Sequence, residues 1–279
     1  MSSNLKYTVL MSVYYKEKVE YLRESIDSMI NQTIFPDEFI IIEDGVLPAN
    51  LSLLIEEYKN SYPKLFTVLK NEVNLGLGPS LRKGILHARN EIIVRMDSDD
   101  ISKNNRVEKQ LCIFNQYPNI GIVGCSEVEF EKSVDNVVAV HSVPSYDEDI
   151  RKMMKRRCSL LHPTVVFKKS DVIRAGNYQE KNTYHLYEDY DLFTRMVLVN
   201  NVKAYNVKGN LYYMRVSGDF YSRRGGIAYA LTALRFKYNL KRRKLISLWD
   251  FCLSGFGQAF VCLLPNFIRS YIYISLLRK

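Results

Sequence analysis

Two kinds of apolar pattern take turns along the first hundred residues. Short, β-rich runs stand at Tyr7–Val13, Glu38–Ile42, Phe66–Lys70 and Glu91–Met96; their length and composition are those of strands. Between them, Tyr21–Gln32 carries Leu22, Ile26, Met29 and Ile30 at helical spacing, and Leu51–Asn60 and Ser80–Arg89 read the same way. Asn74-Leu75-Gly76-Leu77-Gly78-Pro79 reads as a turn opening the third helix. Strands and helices alternating at these lengths predict an α/β fold, a Rossmann-like and mostly parallel sheet flanked by helices. Further along, Thr164–Phe167 and Leu211–Met214 read as strands.

In such a sheet, ligands bind beyond the carboxyl ends of the strands. The first strand delivers Tyr14 there, the second Glu43 and Asp44, and the fourth Asp97, Ser98 and Asp99. The fourth exit is the most highly charged, because Asp97-Ser98-Asp99-Asp100 places three carboxylates within four residues. Like charges this close are costly unless a cation or donor offsets them. Mg²⁺ or Mn²⁺ would do so, since hard divalent ions take oxygen ligands and share them with phosphates. A loop in which Asp99 or Asp100 caps the next helix fits the same pattern. A carboxylate at Glu43 or Asp44 suits a base N–H, and Asp97 suits ribose hydroxyls, so the crevice is expected to hold a nucleotide. The glycines do not form G-x-G-x-x-G, and no Walker lysine motif is present, which argues against a dinucleotide fold and a P-loop.

Composition narrows the class. The 279 residues can hold one large α/β domain with an appendage. Five scattered cysteines without a C-x-x-C pair argue against a disulfide framework or a zinc site and suit a reducing cytosol. Met1 to Tyr7 is polar and the apolar run after it is short, so no signal peptide is expected. The net charge of +9 is concentrated at the end: from residue 223 onward eleven Lys/Arg face one acid, Asp250, leaving residues 1–222 near neutrality. Lys241-Arg242-Arg243-Lys244 precedes Leu245–Leu264 and, after Pro265, Phe267–Leu277. Asp250, Gln258 and two glycines interrupt the first segment and the second is only eleven residues long, so neither offers the unbroken apolar length a membrane span needs. Amphipathic segments lying on an anionic membrane surface fit better, with a helix pair packed on the core as the other reading. The expected division is a catalytic domain over residues 1–222 and a basic amphipathic segment over 223–279.

The ordered set Ser12-Val13-Tyr14, Glu43-Asp44-Gly45, Asn74-x-Gly76 and Met96-Asp97-Ser98-Asp99-Asp100 resembles glycosyltransferase family 2, inverting enzymes of the GT-A fold that use nucleotide-activated sugars. Arg106-x-x-x-Gln110, Gly121-Ile122-Val123-Gly124, His162-Pro163-Thr164-Val165-Val166-Phe167 and Glu188-Asp189-Tyr190-Asp191-Leu192 with Arg195 resemble its bacterial branch that builds O-antigen, capsule and exopolysaccharide. Coverage runs from about Tyr7 to Arg215. The resemblance implies that Asp44, with Glu43, contacts uracil, that Asp97 faces the ribose, and that Asp99 binds metal with Asp97 beside it and Asp100 as helper. It makes Asp189 the catalytic base and Glu188 a residue near the acceptor. Glu43 replaces the usual first acid of the D-D-G pattern, and Leu81-Arg82-Lys83-Gly84 departs from it, leaving Arg82 as a phosphate contact and Lys83 without a role. Out of context, Glu188-Asp189 also reads as an acidic first helical turn.

Among other residues, His162 is expected to support the acceptor pocket rather than bind metal. His185 is weighed as a ligand, and His87 and His141 as structural or exposed. Arg215 with Arg223-Arg224, among Gly218, Gly225 and Gly226, could close over the diphosphate. Tyr184, Tyr187 and Tyr190 suit either sugar stacking or a half-buried wall. The resemblance implies transfer of glucose or galactose from a UDP-sugar to an N-acetylhexosamine or oligosaccharide on undecaprenyl diphosphate. The linkage is expected to be β, with Mn²⁺ or Mg²⁺ as cofactor, at the cytoplasmic face of the bacterial membrane. The alternatives are a sugar-nucleotide pyrophosphorylase, whose G-x-G-T-R-like loop is missing after the first strand, and an inactive sugar-nucleotide-binding module, which the intact acids oppose. The near-neutral first 222 residues argue against a nucleic-acid binder.

Overall fold

The computed structural model describes residues 5–181, 184, 186–216 and 225–272. His185, Gly218, Arg223, Arg224 and the end of the Phe267–Leu277 segment lie outside the described residues.

Four strands, β1 (Tyr7–Val13), β2 (Glu38–Asp44), β3 (Phe66–Asn71) and β4 (Ile92–Arg95), form a parallel sheet in the order β3-β2-β1-β4. Helices α1 (Val19–Ile30), α2 (Ala49–Ser61) and α3 (Leu77–His87) make the crossovers. Both faces are covered, so the strands read as unbroken apolar runs rather than as alternation. Along β1 and β2, Val9, Met11, Phe39 and Ile41 face α1 and α2 (Leu22, Ile26, Leu51, Ile55). Leu10, Ile40 and Ile42 face α3 (Leu81, Ile85) on the other side. Helix α3 begins at Leu77, earlier than the sequence suggests, and carries Gly78 and Pro79 in its first turn. Proline is tolerated there because its missing N–H would have no intrahelical partner.

Beyond β4 the sheet becomes mixed. β5 (Ile101–Ser102), α4 (Arg106–Gln116), β6 (Ile120–Phe130), β7 (Val137–His141), α5 (Asp147–Met154), β8 (Val166–Lys168) and α6 (Lys169–Arg174) follow, then α7 (Glu188–Thr194) and β9 (Lys203–Arg215). β8 is antiparallel to both β4 and β6, β9 runs parallel to β6, and β5 and β7 add antiparallel edges. The order is β3-β2-β1-β4-β8-β6-β9-β5, with β7 on β6.

Two motif residues staple these halves. Arg106, fully buried, donates from Nε to Ser102 Oγ at 2.7 Å and stacks on Tyr212. Gln110 donates to the carbonyls of Thr164 (2.8 Å) and Val123 (3.1 Å). The Arg106-x-x-x-Gln110 spacing thus puts one helical face of α4 against the loop ends of β4, β6 and the 162–164 turn.

The C-terminal part begins with α8 (Ile227–Arg242), whose Ala233, Phe236 and Leu240 pack into the same core as Leu192 and Phe193 of α7. Then α9 (Leu248–Phe251), a π-helical turn over Cys252–Phe256 and α10 (Gly257–Leu263) run on continuously, and α11 (Asn266–Ile272) follows Pro265. Ala259 and Cys262 of α10 pack on Ala230 of α8. No helix among the described residues is long and apolar enough to cross a membrane.

Candidate active site

A cleft of about 380 Å³ opens at the carboxyl ends of β1, β2 and β4. Its wall includes Ser12, Tyr14, Asp44, Asn74, Gly76, Asp97, Asp99, Glu188 and Arg215. Residues from six separate stretches of sequence therefore meet in one place, as the strand-exit rule requires.

The β2 exit is a built turn. Asp44 is buried and accepts from the backbone N–H of Leu75 (2.8 Å) and Gly76 (2.9 Å) and from Asn71 Nδ2 (3.0 Å). Its carbonyl accepts from Asn74 Nδ2 at 3.2 Å. Gly45 has φ 86° and sits so close that a Cβ would lie 2.8 Å from the Asn74 nitrogen. Gly76, at φ 90°, lets the chain swing into α3. Glu43 is not part of the cleft wall: one residue earlier on the strand, it turns the other way and pairs with Lys70 at 3.0 Å.

The β4 exit carries the acids. Asp97 pairs at 2.5 Å with Arg95, whose side chain is only 1% exposed. Ser25 Oγ donates to the Asp97 carbonyl at 2.6 Å, and Ser98 donates to Glu17. Asp100 is buried and accepts the Arg215 N–H at 2.7 Å. The chain then pairs with β9 through Ile101–Tyr213 and Ser102–Tyr212. Burial, reinforced by the charges of Asp97 and Glu17, pushes the Asp99 carboxyl up to about 7. Burial likewise holds Asp100 well above the carboxylate range, with Asp99 and Asp97 adding to it.

This crowding suits a divalent cation, which would relieve the repulsion that raises Asp99. Among the described residues no three His, Cys, Asp or Glu side chains are placed to hold an ion by themselves. Asp97 and Asp99 would leave coordination positions to water and substrate phosphate, the usual habit of Mg²⁺ sites.

Helix α7 supplies the facing wall, and it does begin with an acidic turn, Glu188-Asp189. Glu188 lines the cleft, and burial together with the Asp189 charge lifts its carboxyl to about 7. Asp189, the next residue, is half-buried, its Oδ1 accepting the Tyr190 N–H at 2.7 Å. Arg215 reaches the cleft from β9 with its guanidinium stacked on Tyr21 (4.0 Å) and Phe130 (4.6 Å) and its Nε on the Asp99 carbonyl (2.9 Å). Arg82 stands away from the cleft wall: it holds the carbonyls of Gly176 (3.2 Å) and Tyr178 (3.1 Å) and pairs with Glu180 (3.0 Å). His162 is buried against Tyr178 (2.7 Å), and burial with the nearby Arg95 charge keeps its pKa well below the ordinary value. Tyr187 and Tyr190 are buried against Phe236 and form a wall rather than a sugar platform.

Glu17 and Arg95 escape a reading by motif. Glu17 lies in a polar stretch after β1 with no spacing to mark it, and Arg95 interrupts an apolar run where a strand-edge residue would read the same. The one available signal is that a cation stands two residues before the first of the acids.

The family model described as Glycosyl transferase family 2 matches residues 8–176. The chain is 35% identical over 275 residues to the UDP-Gal:alpha-D-GlcNAc-diphosphoundecaprenol beta-1,3-galactosyltransferase of Escherichia coli, covering 98% of this chain and 97% of that one. The structure resembles S. aureus TarS 1–349 in complex with UDP-GlcNAc (TM-score 0.66, 16% identity, 96% of this chain and 75% of that one). It also resembles the mannosyltransferase PcManGT of Pyrobaculum calidifontis in complex with GDP-Man and Mn²⁺ (TM-score 0.59, 14% identity, 99% and 72%). The mixed sheet, the acid-lined cleft at its strand ends and these matches agree: the chain belongs to glycosyltransferase family 2 and has the GT-A fold.

Proposed function

We propose that the protein is an inverting hexosyltransferase of bacterial surface-polysaccharide assembly, in the O-antigen or capsule class. It moves galactose or glucose from a UDP-sugar onto an N-acetylhexosamine or oligosaccharide carried on undecaprenyl diphosphate, forming a β-linkage. The observation that carries this reading is the match to the E. coli galactosyltransferase along almost the whole of both chains. A lipid-linked acceptor places the enzyme peripherally on the cytoplasmic face of the membrane.

In this reading Tyr14 and Asp44 bracket the base, with Glu43 supporting the turn from behind. Asp97 faces the ribose, and Arg215 stands by the diphosphate. Asp99 and Asp97 would hold Mn²⁺ or Mg²⁺, which when bound offsets charge on the departing diphosphate. Arg82 acts indirectly, by fixing the 176–180 turn that leads to α7. Inversion needs one carboxylate to take the acceptor hydroxyl proton as its oxygen attacks the anomeric carbon from the face opposite the leaving group. Asp189 fills that role by resemblance to the family. Glu188 is the second reading, supported by its place in the cleft wall and its carboxyl near 7, where a base accepts a proton most usefully.

The test is transfer from a panel of UDP- and GDP-sugars to a synthetic lipid-diphosphate GlcNAc, with and without Mn²⁺. Metal-dependent transfer from one UDP-sugar is expected; turnover with a GDP-sugar alone would overturn the donor assignment. Asp189→Asn should lower kcat by about 10²–10⁴-fold with donor binding retained. If Glu188→Gln does this instead, and Asp189→Asn stays active, the base is Glu188.

A further inference from the structure

The helices after α8 leave a series of large apolar side chains facing solvent. Trp249, Leu253, Phe256, Phe260, Leu263 and Phe267 recur every three or four residues across α9, the π-helical turn, α10 and α11. Trp249 is 71% exposed, Phe260 65% and Phe267 75%. The opposite side of α10, with Ala259 and Cys262, is spent on α8, so the row is not the core-facing side of these helices. A monomeric soluble surface seldom presents so many large apolar side chains together.

Charge decides what covers the row. The exposed Lys241-Arg242-Arg243-Lys244 run lies at the end of α8, immediately before it. A second basic group, legible only in three dimensions, is tied to α8 and α9. Lys152, Lys155 and Arg156 at the end of α5 line a groove of about 850 Å³ that Asp250 of α9 also borders. Arg156 pairs with Asp250 at 2.8 Å, and the buried Lys237 ties α8 to the carbonyls of Lys155 and Arg156. The acids along this groove are Asp149 and Asp250, and Asp250 is already engaged. A second copy docked through this face would bring like charges together. An anionic bilayer would instead receive the aromatic row at its interface and the cations at its headgroups.

We propose that the outer face of α9–α11, with the basic collar formed by the ends of α5 and α8, is a docking surface for an anionic lipid bilayer. The protein lies on the membrane through this face and does not cross it. The proposal rests on the lipid-linked reading above for its purpose, and it names the surface that such an acceptor calls for.

The test is co-sedimentation of the full-length protein with vesicles rich in phosphatidylglycerol or made of phosphatidylcholine alone. Trp249 is the only tryptophan in the chain, so its emission reports burial of the row directly. Phosphatidylglycerol vesicles are expected to pellet the protein and shift the emission to the blue. Phe260→Asp with Phe267→Asp should weaken partitioning by about tenfold or more, and Arg242→Glu with Arg243→Glu should remove the preference for anionic lipid. All four side chains are exposed, so the fold should tolerate these changes. Transfer to a short-chain, water-soluble acceptor should persist in both variants, which separates failure of docking from failure of the enzymatic reading. Three results would overturn the proposal: no pelleting of the wild type, equal pelleting of the aspartate variant, or a dimer that the aspartate variant dissolves.

Discussion

Arg95 sets the electrostatics of the cleft floor. Its guanidinium is 1% exposed, and its one ion pair among the described residues is with Asp97. Removing one partner of such a pair strands the other, whereas replacing both with apolar or neutral groups is far less costly. Asp97→Asn is therefore expected to lower stability by about 3 kcal/mol besides impairing donor binding. Adding Arg95→Met should restore most of the urea midpoint and none of the activity. If the double variant is no more stable than Asp97→Asn, the pair does not organise the floor as described. The acids at Asp97, Asp99 and Asp44 were legible because charged residues directly after apolar strands must have a purpose or a partner. Glu43 falls outside the cleft wall for a local reason: adjacent strand residues point to opposite sides, and a motif does not say which of two neighbouring acids faces the cleft. Arg82 holds chain carbonyls away from the cleft wall, a placement the sequence does not distinguish because a basic residue near a glycine turn fits a phosphate and a carbonyl equally well.

At the level of elements, the pairing of α7 with α8 is the main device. Lys237 Nζ donates to Tyr190 Oη (2.6 Å) and the Arg156 carbonyl (2.7 Å), while Tyr190 Oη donates to the Met154 carbonyl (2.6 Å). Burial pushes the Lys237 ammonium down to about 7, opposed by the nearby Cys158 and Asp250. A free lysine titrates near 10.4, so between the two values the unfolded chain binds more protons than the folded one. Stability should rise with pH across that window, by no more than about 1.4 kcal/mol per unit from this group. In Lys237→Met that part of the slope should vanish when unfolding free energy is measured at pH 7, 8 and 9. An unchanged slope would show that the ammonium stays charged in the fold. The β2 turn makes a second case. Gly45→Ala would need φ 86° and would crowd the Asn74 nitrogen, so a loss of at least about 1–2 kcal/mol is expected. UDP binding by calorimetry should weaken in parallel. The strands and helices around these devices were readable from periodicity. Their partners were not, because an apolar stripe shows which side of a helix is covered but not by what.

Across the whole molecule, the first half of the sheet follows from alternating strands and crossovers, while the mixed second half does not. β8 and β9 are set by pairings between residues about 40 to 80 positions apart, which no local pattern encodes. The family match, residues 8–176, stops short of the remaining walls of the cleft. Glu188 and Arg215 both lie beyond that match, and the two-residue strand β5 that closes the acidic loop pairs with β9. A fragment ending at residue 176 is expected to expose apolar surface and to show no UDP binding by calorimetry. Synthesis proceeds from the amino terminus, so the loop carrying Asp97 and Asp99 leaves the ribosome well before the strand that fixes it. The acids must wait, solvated and mutually repelling, until Tyr212 and Tyr213 arrive to close the ladder. The cleft is therefore expected to gain affinity for sugar nucleotide only once more than three-quarters of the chain has been translated.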